Sequence, residues 1–288
     1  MSIEGIWVPI VTPFRNGQID FPALKRSAAE LIEAGISGLI ACGTTGEPAT
    51  MSEPEQLAVL DAVLEAAPAG RVVMGLSDNN LAAALERLKC IGERPVAGVL
   101  VPAPYYIRPS QAGLIEYFRS IADASTAPVV VYNIPYRTGV TMELATLRAI
   151  AEHERIVAIK DCGGDLGLTM QLIAEGKLAV MAGEDQQTLS TLCLGGVGVI
   201  AASAHIRPDL FVRLHALVKE GKLDEARRVF YRLLPMIQLA FREPNPAPVK
   251  AALAMMGKMS DELRAPMQAA TPAIREAWKP ILQDLELL

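Results

Sequence analysis

Cysteine is scarce in this chain: four residues in 288, at Cys42, Cys90, Cys162 and Cys193. None forms a CxxC pair, which excludes a zinc site of that kind. Their scatter excludes a disulfide scaffold. They read as small apolar residues destined for burial. Histidine is scarcer still. His153, His205 and His215 lie far apart without metal-ligand spacing, and all three read as structural. No cluster of lysine and arginine stands out, and 27 basic against 32 acidic residues leave a net charge of −5. Nucleic acid is therefore not an expected partner. No run approaches the roughly 18 apolar residues of a membrane-spanning helix, so no membrane partner is expected. The first residues lack a basic region followed by an apolar run, and a soluble, cytoplasmic chain is expected. The first strand ends without GxGxxG, and no serine sits in a GxSxG elbow.

What the chain does have is material for a core. Apolar residues make up 51% and charged residues 20%, an ordinary globular balance that excludes a disordered chain. Short apolar runs recur at 5–14, 38–43, 71–77, 98–106, 128–135, 156–161, 179–185 and 197–203. They read as parallel strands buried on both faces. Helical patterns separate them near 21–35, 53–66, 78–93, 109–124, 141–153, 165–175 and 186–194. In the first, Leu24, Ala28, Leu31 and Ile32 recur at helical spacing, Asp20 is the N-cap and Gly35 the stop. Ser110-Gln111 and Thr141-Met142-Glu143 give two later helices polar starts.

Eight strands alternating with helices predict an α/β (β/α)8 TIM barrel. A doubly wound open sheet is the competitor. After Ser203 the pattern is helical only, near 207–220, 222–239, 246–257 and 271–285. The expected organisation is a barrel over 1–220, carrying the active site, and a C-terminal helical region over 221–288.

In such a barrel the chemistry sits at the C-terminal ends of the strands. Lys160 ends the run Ile156-Val157-Ala158-Ile159. Burial penalises an ammonium, and a neutral amine attacks carbonyl carbon to form a Schiff base. The plain alternative is a lysine paired with Asp161. The turn Gly43-Thr44-Thr45-Gly46-Glu47 offers two hydroxyls and backbone N–H groups to a small carboxylate, or is an ordinary glycine-rich turn. After the fifth strand, Tyr132 offers a proton relay and Arg137 a clamp for a carboxylate, or they are a barrel tyrosine with a satisfied hydroxyl and a solvated arginine. Tyr105-Tyr106 follow the fourth strand, with packing as their alternative role.

Together these pieces resemble the dihydrodipicolinate synthase and N-acetylneuraminate lyase family of class I, lysine-dependent pyruvate aldolases. The resemblance runs in order through Thr12-Pro13-Phe14, Gly43–Glu47, Pro104-Tyr105-Tyr106, Tyr132-Asn133-Ile134-Pro135 and Lys160-Asp161. It continues through Gly183-Glu184-Asp185, Gly195–Ile200, Glu243-Pro244-Asn245-Pro246, Pro248-Val249-Lys250, Leu263-Arg264 and Pro266-Met267. Arg137, the double threonine and the Glu243–Lys250 segment favour the synthase branch over the sialic-acid lyase branch. The resemblance implies condensation of pyruvate with aspartate semialdehyde through a Lys160 Schiff base, in lysine and diaminopimelate biosynthesis. It implies a proton relay of Tyr132, Thr44 and Tyr106, the last supplied by a neighbouring subunit of a homotetramer, a dimer of dimers. Thr45 would bind the pyruvate carboxylate and Arg137 that of the semialdehyde. Ile200 carries over as a backbone contact, and Gly183 joins the substrate-binding set. No metal and no cofactor are required, because Lys160 supplies the electron sink.

The chain departs from that pattern in three places. Tyr136 stands where many synthases have a small residue. Cys162-Gly163-Gly164 replaces the more usual Glu-Ala-Thr/Ser-Gly, and a glycine pair allows unusual backbone angles. Pro48, Glu53, Gln56 and Ala83 stand where lysine-regulated members carry serine, two histidines and glutamate, although Asn79 and Tyr105 match, so feedback by L-lysine is expected to be weak or absent. The competing functions are another pyruvate-dependent aldolase or lyase, acting on a sugar acid or keto acid, and a non-catalytic ligand-binding paralogue.

Overall fold

A computed structural model describes residues 3–288. The eight apolar runs form eight parallel strands that close into one barrel in chain order. The strands are Gly5–Pro9, Gly38–Ala41, Val72–Gly75, Gly98–Pro102, Val129–Asn133, Ile156–Asp161, Ala179–Ala182 and Gly198–Ile200. A helix follows each strand, so the expected (β/α)8 architecture is the one observed. No helix among the described residues is long and apolar enough to cross a membrane.

By internal packing the chain divides into two compact units. The first takes in residues 3–5 and Ala69–Ile200. Its strands are buried throughout or nearly so; Val129–Asn133 is buried at all five positions. That burial on both faces explains why the runs are continuous rather than alternating. Gly5 and Gly198 are forced here by close approach: a Cβ on Gly198 would meet the Gly5 oxygen at 2.1 Å. Helix ends in this unit follow the polar starts. Ser110 accepts from Gly113 N at 3.2 Å. The helix Leu144–Ala151 differs, because its N-cap Glu143 makes no side-chain cap bond. Gln111, at the start of the helix Gln111–Ala124, braces the backbone leading into Leu144–Ala151 instead. Its Oε1 accepts from Glu143 N at 3.1 Å and its Nε2 donates to Thr141 O at 2.9 Å.

The second unit comprises Ile6–Pro68 and Ala201–Leu288. In it the first two strands pair in parallel, with Val8 opposite Leu39. Asp20 caps the helix Phe21–Glu33 by accepting from Ala23 N at 3.0 Å. The helix Glu53–Ala66 begins with a full capping box of Ser52 and Glu55. The C-terminal helices are Pro208–Lys219, Leu223–Ala240, Ala247–Met255 and Pro272–Asp284. Trp278 is fully buried and its Nε1 donates to Pro248 O at 2.9 Å, tying the last helix to the one before it.

Two readings need correction. Cys42 and Cys162 are buried, but Cys90 and Cys193 are exposed. The helix Leu81–Gly92 buries the stripe Ala84, Leu88 and Ile91, and Cys90 falls off that stripe. The first apolar run also stops sooner than its length suggests. Beyond Pro9 it leads into a small antiparallel hairpin, Phe14–Arg15 with Gln18–Ile19. Asn16 and Gly17 turn it with φ of 53° and 76°. Asn-Gly is the sequence signal for such a turn.

Candidate active site

Lys160 is the penultimate residue of its strand and only 7% exposed. Strand register sets it directly opposite Tyr132. Paired residues on adjacent strands point to the same face. The Nζ accordingly lies 4.2 Å from the centre of the Tyr132 ring. Asp161 and Asn133, one residue on, point to the other face. There Asp161 Oδ1 accepts from Asn133 Nδ2 and from Gly163 N, both at 2.9 Å. Its Oδ2 accepts from Thr169 Oγ1 at 2.7 Å, on the helix Leu166–Glu175. The carboxylate is thus held on the helix side of the sheet. Pairing of Lys160 with Asp161 does not account for this lysine.

The loops beyond the fifth to seventh strands build the rim. Pro135–Thr138 forms one helical turn, closed by Gly139 at φ 75°, and it carries Tyr136 and Arg137 outward. The Arg137 guanidinium lies 5.8 Å from the Tyr136 ring centre. Tyr136 Oη donates to Glu184 Oε1 at 2.8 Å. Gly163 and Gly183 are glycines for want of room. A Cβ on Gly183 would stand 2.3 Å from Cys162 Sγ, and one on Gly163 2.5 Å from Asn133 Nδ2. Gly164 adopts φ +74°, a left-handed angle that glycine reaches without strain. Ile200 is buried at the end of the eighth strand.

Tyr106 lies on the loop after the fourth strand and is 88% exposed, with φ 69°. Its backbone N–H donates to Thr138 O at 3.2 Å, and Asn79 Oδ1 accepts from Tyr105 N at 2.9 Å. The two tyrosines therefore stand on an anchored backbone with their rings outward.

The second unit holds the threonine turn. Thr44–Gly46 is one 3-10 turn; Thr45 is buried and Thr44 half-buried. Thr45 Oγ1 accepts from Asn245 Nδ2 at 3.0 Å. The hydroxyl hydrogen of Thr45 remains available as a donor. Thr12 Oγ1 donates to Gly46 O at 2.7 Å and pins the turn from below. Glu47, at φ 56°, drives its side chain inward to an ion pair with Lys250 in which both are fully buried. Burial pushes the Glu47 carboxyl up and the Lys250 ammonium down, each opposed by the other's charge. Lys250 also donates to Glu262 O at 2.9 Å and lies 4.5 Å from the centre of the Phe14 ring. The Arg264 guanidinium lies 4.6 Å from the same ring centre.

His205 accepts from Val11 N at its Nε2 and bonds Ala202 O through Nδ1. It is a neutral, buried histidine bracing the backbone, and burial lowers its pKa to about 4. His153 Nε2 bonds Asp123 at 3.1 Å.

Of the residues expected from sequence, Lys160 and Tyr132 are in contact, and Arg137 joins Tyr136 and Glu184 on the rim. Thr45 is joined by Asn245, which the sequence marks only as part of the Glu243-Pro244-Asn245-Pro246 motif. Glu184, Asn245 and Lys250 had no assigned role. Their one signal was membership of short polar motifs far along the chain.

The chain matches the model of the dihydrodipicolinate synthetase family over residues 2–285. It is 37% identical to a 4-hydroxy-tetrahydrodipicolinate synthase of Methanocaldococcus jannaschii, with 99% of each chain covered. It is 40% identical to one from Syntrophobacter fumaroxidans, again over 99% of each. The crystal structure of dihydrodipicolinate synthase from Thermotoga maritima superposes with a TM-score of 0.96 at 34% identity, covering 99% of both chains.

Proposed function

The chain belongs to the dihydrodipicolinate synthetase family, and from that premise we propose that it catalyses the 4-hydroxy-tetrahydrodipicolinate synthase reaction. It is a class I, Schiff-base lyase of lysine and diaminopimelate biosynthesis. Lys160 Nζ attacks the ketone carbon of pyruvate, and loss of water gives a protonated imine. The imine draws electrons from the methyl carbon, which loses a proton and becomes an enamine. The enamine carbon bonds to the aldehyde carbon of L-aspartate 4-semialdehyde. The amine of that substrate then attacks the imine carbon, closes the ring and releases Lys160.

The observation that carries this reading is the setting of Lys160: buried, beside the Tyr132 ring, with its neighbouring carboxylate engaged on the opposite face. Tyr132, Thr44 and Tyr106 move protons during imine formation and ring closure. Thr45 donates its free hydroxyl hydrogen to the pyruvate carboxylate. Arg137 binds the carboxylate of the semialdehyde. Ile200 and Gly183 contribute backbone at the site.

Tyr106 reaches its place from a neighbouring copy, in a homotetramer built as a dimer of dimers. Its high exposure on an anchored loop, with Tyr105 and Ile107 exposed beside it, supports this assembly. The catalytic barrel takes residues 1–220 and the helical region 221–288, and the enzyme works in the cytoplasm.

The test is borohydride trapping with pyruvate, read by peptide mass spectrometry, with semialdehyde turnover measured on the same sample. An adduct on Lys160 with rapid turnover is expected. An adduct without turnover would move the acceptor to a sugar acid or keto acid, and no adduct would end the Schiff-base reading. Arg137→Ala should impair turnover of the semialdehyde far more than formation of the pyruvate adduct.

A further inference from the structure

Three side chains meet at the ends of three successive strands without a part in the chemistry above. Tyr136 follows the fifth strand, Cys162 the sixth and Glu184 the seventh. Tyr136 Oη donates to Glu184 Oε1 at 2.8 Å, and the Glu184 charge is felt by the Cys162 thiol. Cys162 is buried at 4% exposure beneath Gly183, whose missing Cβ gives its sulfur room. Tyr136 is 65% exposed. The three form a shelf with a packed base and an open upper edge.

The protonation of the shelf is one-sided. Burial and the charge of Glu184 push both the Tyr136 phenol and the Cys162 thiol up. Both keep their hydrogens at neutral pH, and the Tyr136 hydroxyl donates to the Glu184 carboxylate. A carboxylate has about four lone-pair positions, so Glu184 retains capacity to accept from an incoming group. The Arg137 guanidinium rests near the Tyr136 ring. Tyr136 thus touches a fixed anion with its hydroxyl and a cation with its ring.

We propose that Tyr136 is a specificity-determining residue for the aldehyde acceptor. It fixes Glu184 as a docking point for an ammonium while Arg137 takes a carboxylate, so the site selects acceptors that carry both groups. An acceptor without the ammonium covers Glu184 without filling its remaining acceptor capacity, and a site built around a polar group rejects the analogue that lacks it. Tyr136 acts through Glu184 and is a positioning residue. The proposal rests on the Schiff-base reading of Lys160.

The test compares the intact enzyme with Tyr136→Phe and Glu184→Gln. Each is assayed for borohydride trapping of pyruvate, for KM and kcat with L-aspartate 4-semialdehyde, and for competition by succinic semialdehyde, the same chain without the amine. Trapping should be equal in all three. Tyr136→Phe should raise KM for L-aspartate 4-semialdehyde roughly ten- to hundred-fold, the worth of one hydrogen bond to a charged group, with a smaller change in kcat. The preference over succinic semialdehyde should collapse in both variants. Equal trapping with unchanged KM and unchanged preference overturns the proposal alone. Absence of trapping in the intact enzyme overturns the Schiff-base reading, and this proposal with it.

Discussion

The Nζ of Lys160 lies 4.2 Å from the centre of the Tyr132 ring because the two residues are register partners on adjacent strands. The relationship is fixed by backbone hydrogen bonds, so it does not depend on loop conformation. A tyrosine hydroxyl on a rigid strand is suited to proton transfer at an atom bonded to that amine. Tyr132→Phe should lower kcat by about 10²–10⁴-fold while the Lys160 adduct with pyruvate still forms, more slowly. Stopped trapping at timed intervals measures both. An unchanged kcat would remove Tyr132 from the relay.

Gly183 is held by contact rather than by backbone angle. Alanine there would set its Cβ 2.3 Å from Cys162 Sγ and 2.9 Å from Asp161 O. Gly183→Ala should lower the thermal midpoint. Adding Cys162→Ala should recover part of the loss and not all of it, because the Asp161 carbonyl remains in the way. Full recovery in the double variant would contradict this geometry.

His205 sets a pH limit on stability. Its pKa is lowered to about 4 by burial, against about 6.5 in an unfolded chain. As pH falls from 6.5 to 4 the unfolded state takes up a proton that the folded state does not. Stability therefore falls across that window by up to roughly 3 kcal/mol and is fully present above it. Urea unfolding at several pH values should show this slope, and His205→Asn should flatten it. Equal slopes would assign the acid sensitivity elsewhere.

Glu47 and Lys250 are buried together, so neither charge has water to fall back on. Lys250→Met should destabilise the fold by about 3–5 kcal/mol, because it strands the Glu47 carboxylate. The double variant Glu47→Gln with Lys250→Met should be more stable than Lys250→Met alone. Urea midpoints decide the order, and a double variant no better than the single would show that the pair is not coupled.

L-Lysine should inhibit weakly or not at all. Asn79 is occupied by the Tyr105 backbone N–H, Gln56 Nε2 donates to the Pro48 and Met51 carbonyls, and Ala83 offers no group to an ammonium. Initial rates at rising L-lysine check this. Half-inhibition below about 1 mM, equivalent to roughly −4 kcal/mol of binding, would refute it.

Sequence alone determined the barrel, the order of its strands and the identity of the strand-end lysine. Local signals suffice there. Continuous apolar runs mark doubly buried strands, and helix caps such as Asp20 and Ser110 act within three residues. The helix Glu53–Ala66 falls on the expected 53–66, and the capping box of Ser52 and Glu55 that starts it is equally local. The tertiary structure alone decided which side chains meet. Thr45 with Asn245 and Glu47 with Lys250 are partners some 200 residues apart. Tyr136 and Glu184 stand on loops of different strands, 48 residues apart. No periodicity carries such information, because these pairings are set by the register of the strands and the path of each loop. Nor did the sequence say that Asp161 would turn away from Lys160. That followed from the alternation of a strand whose other face was already occupied by Asn133 and Thr169.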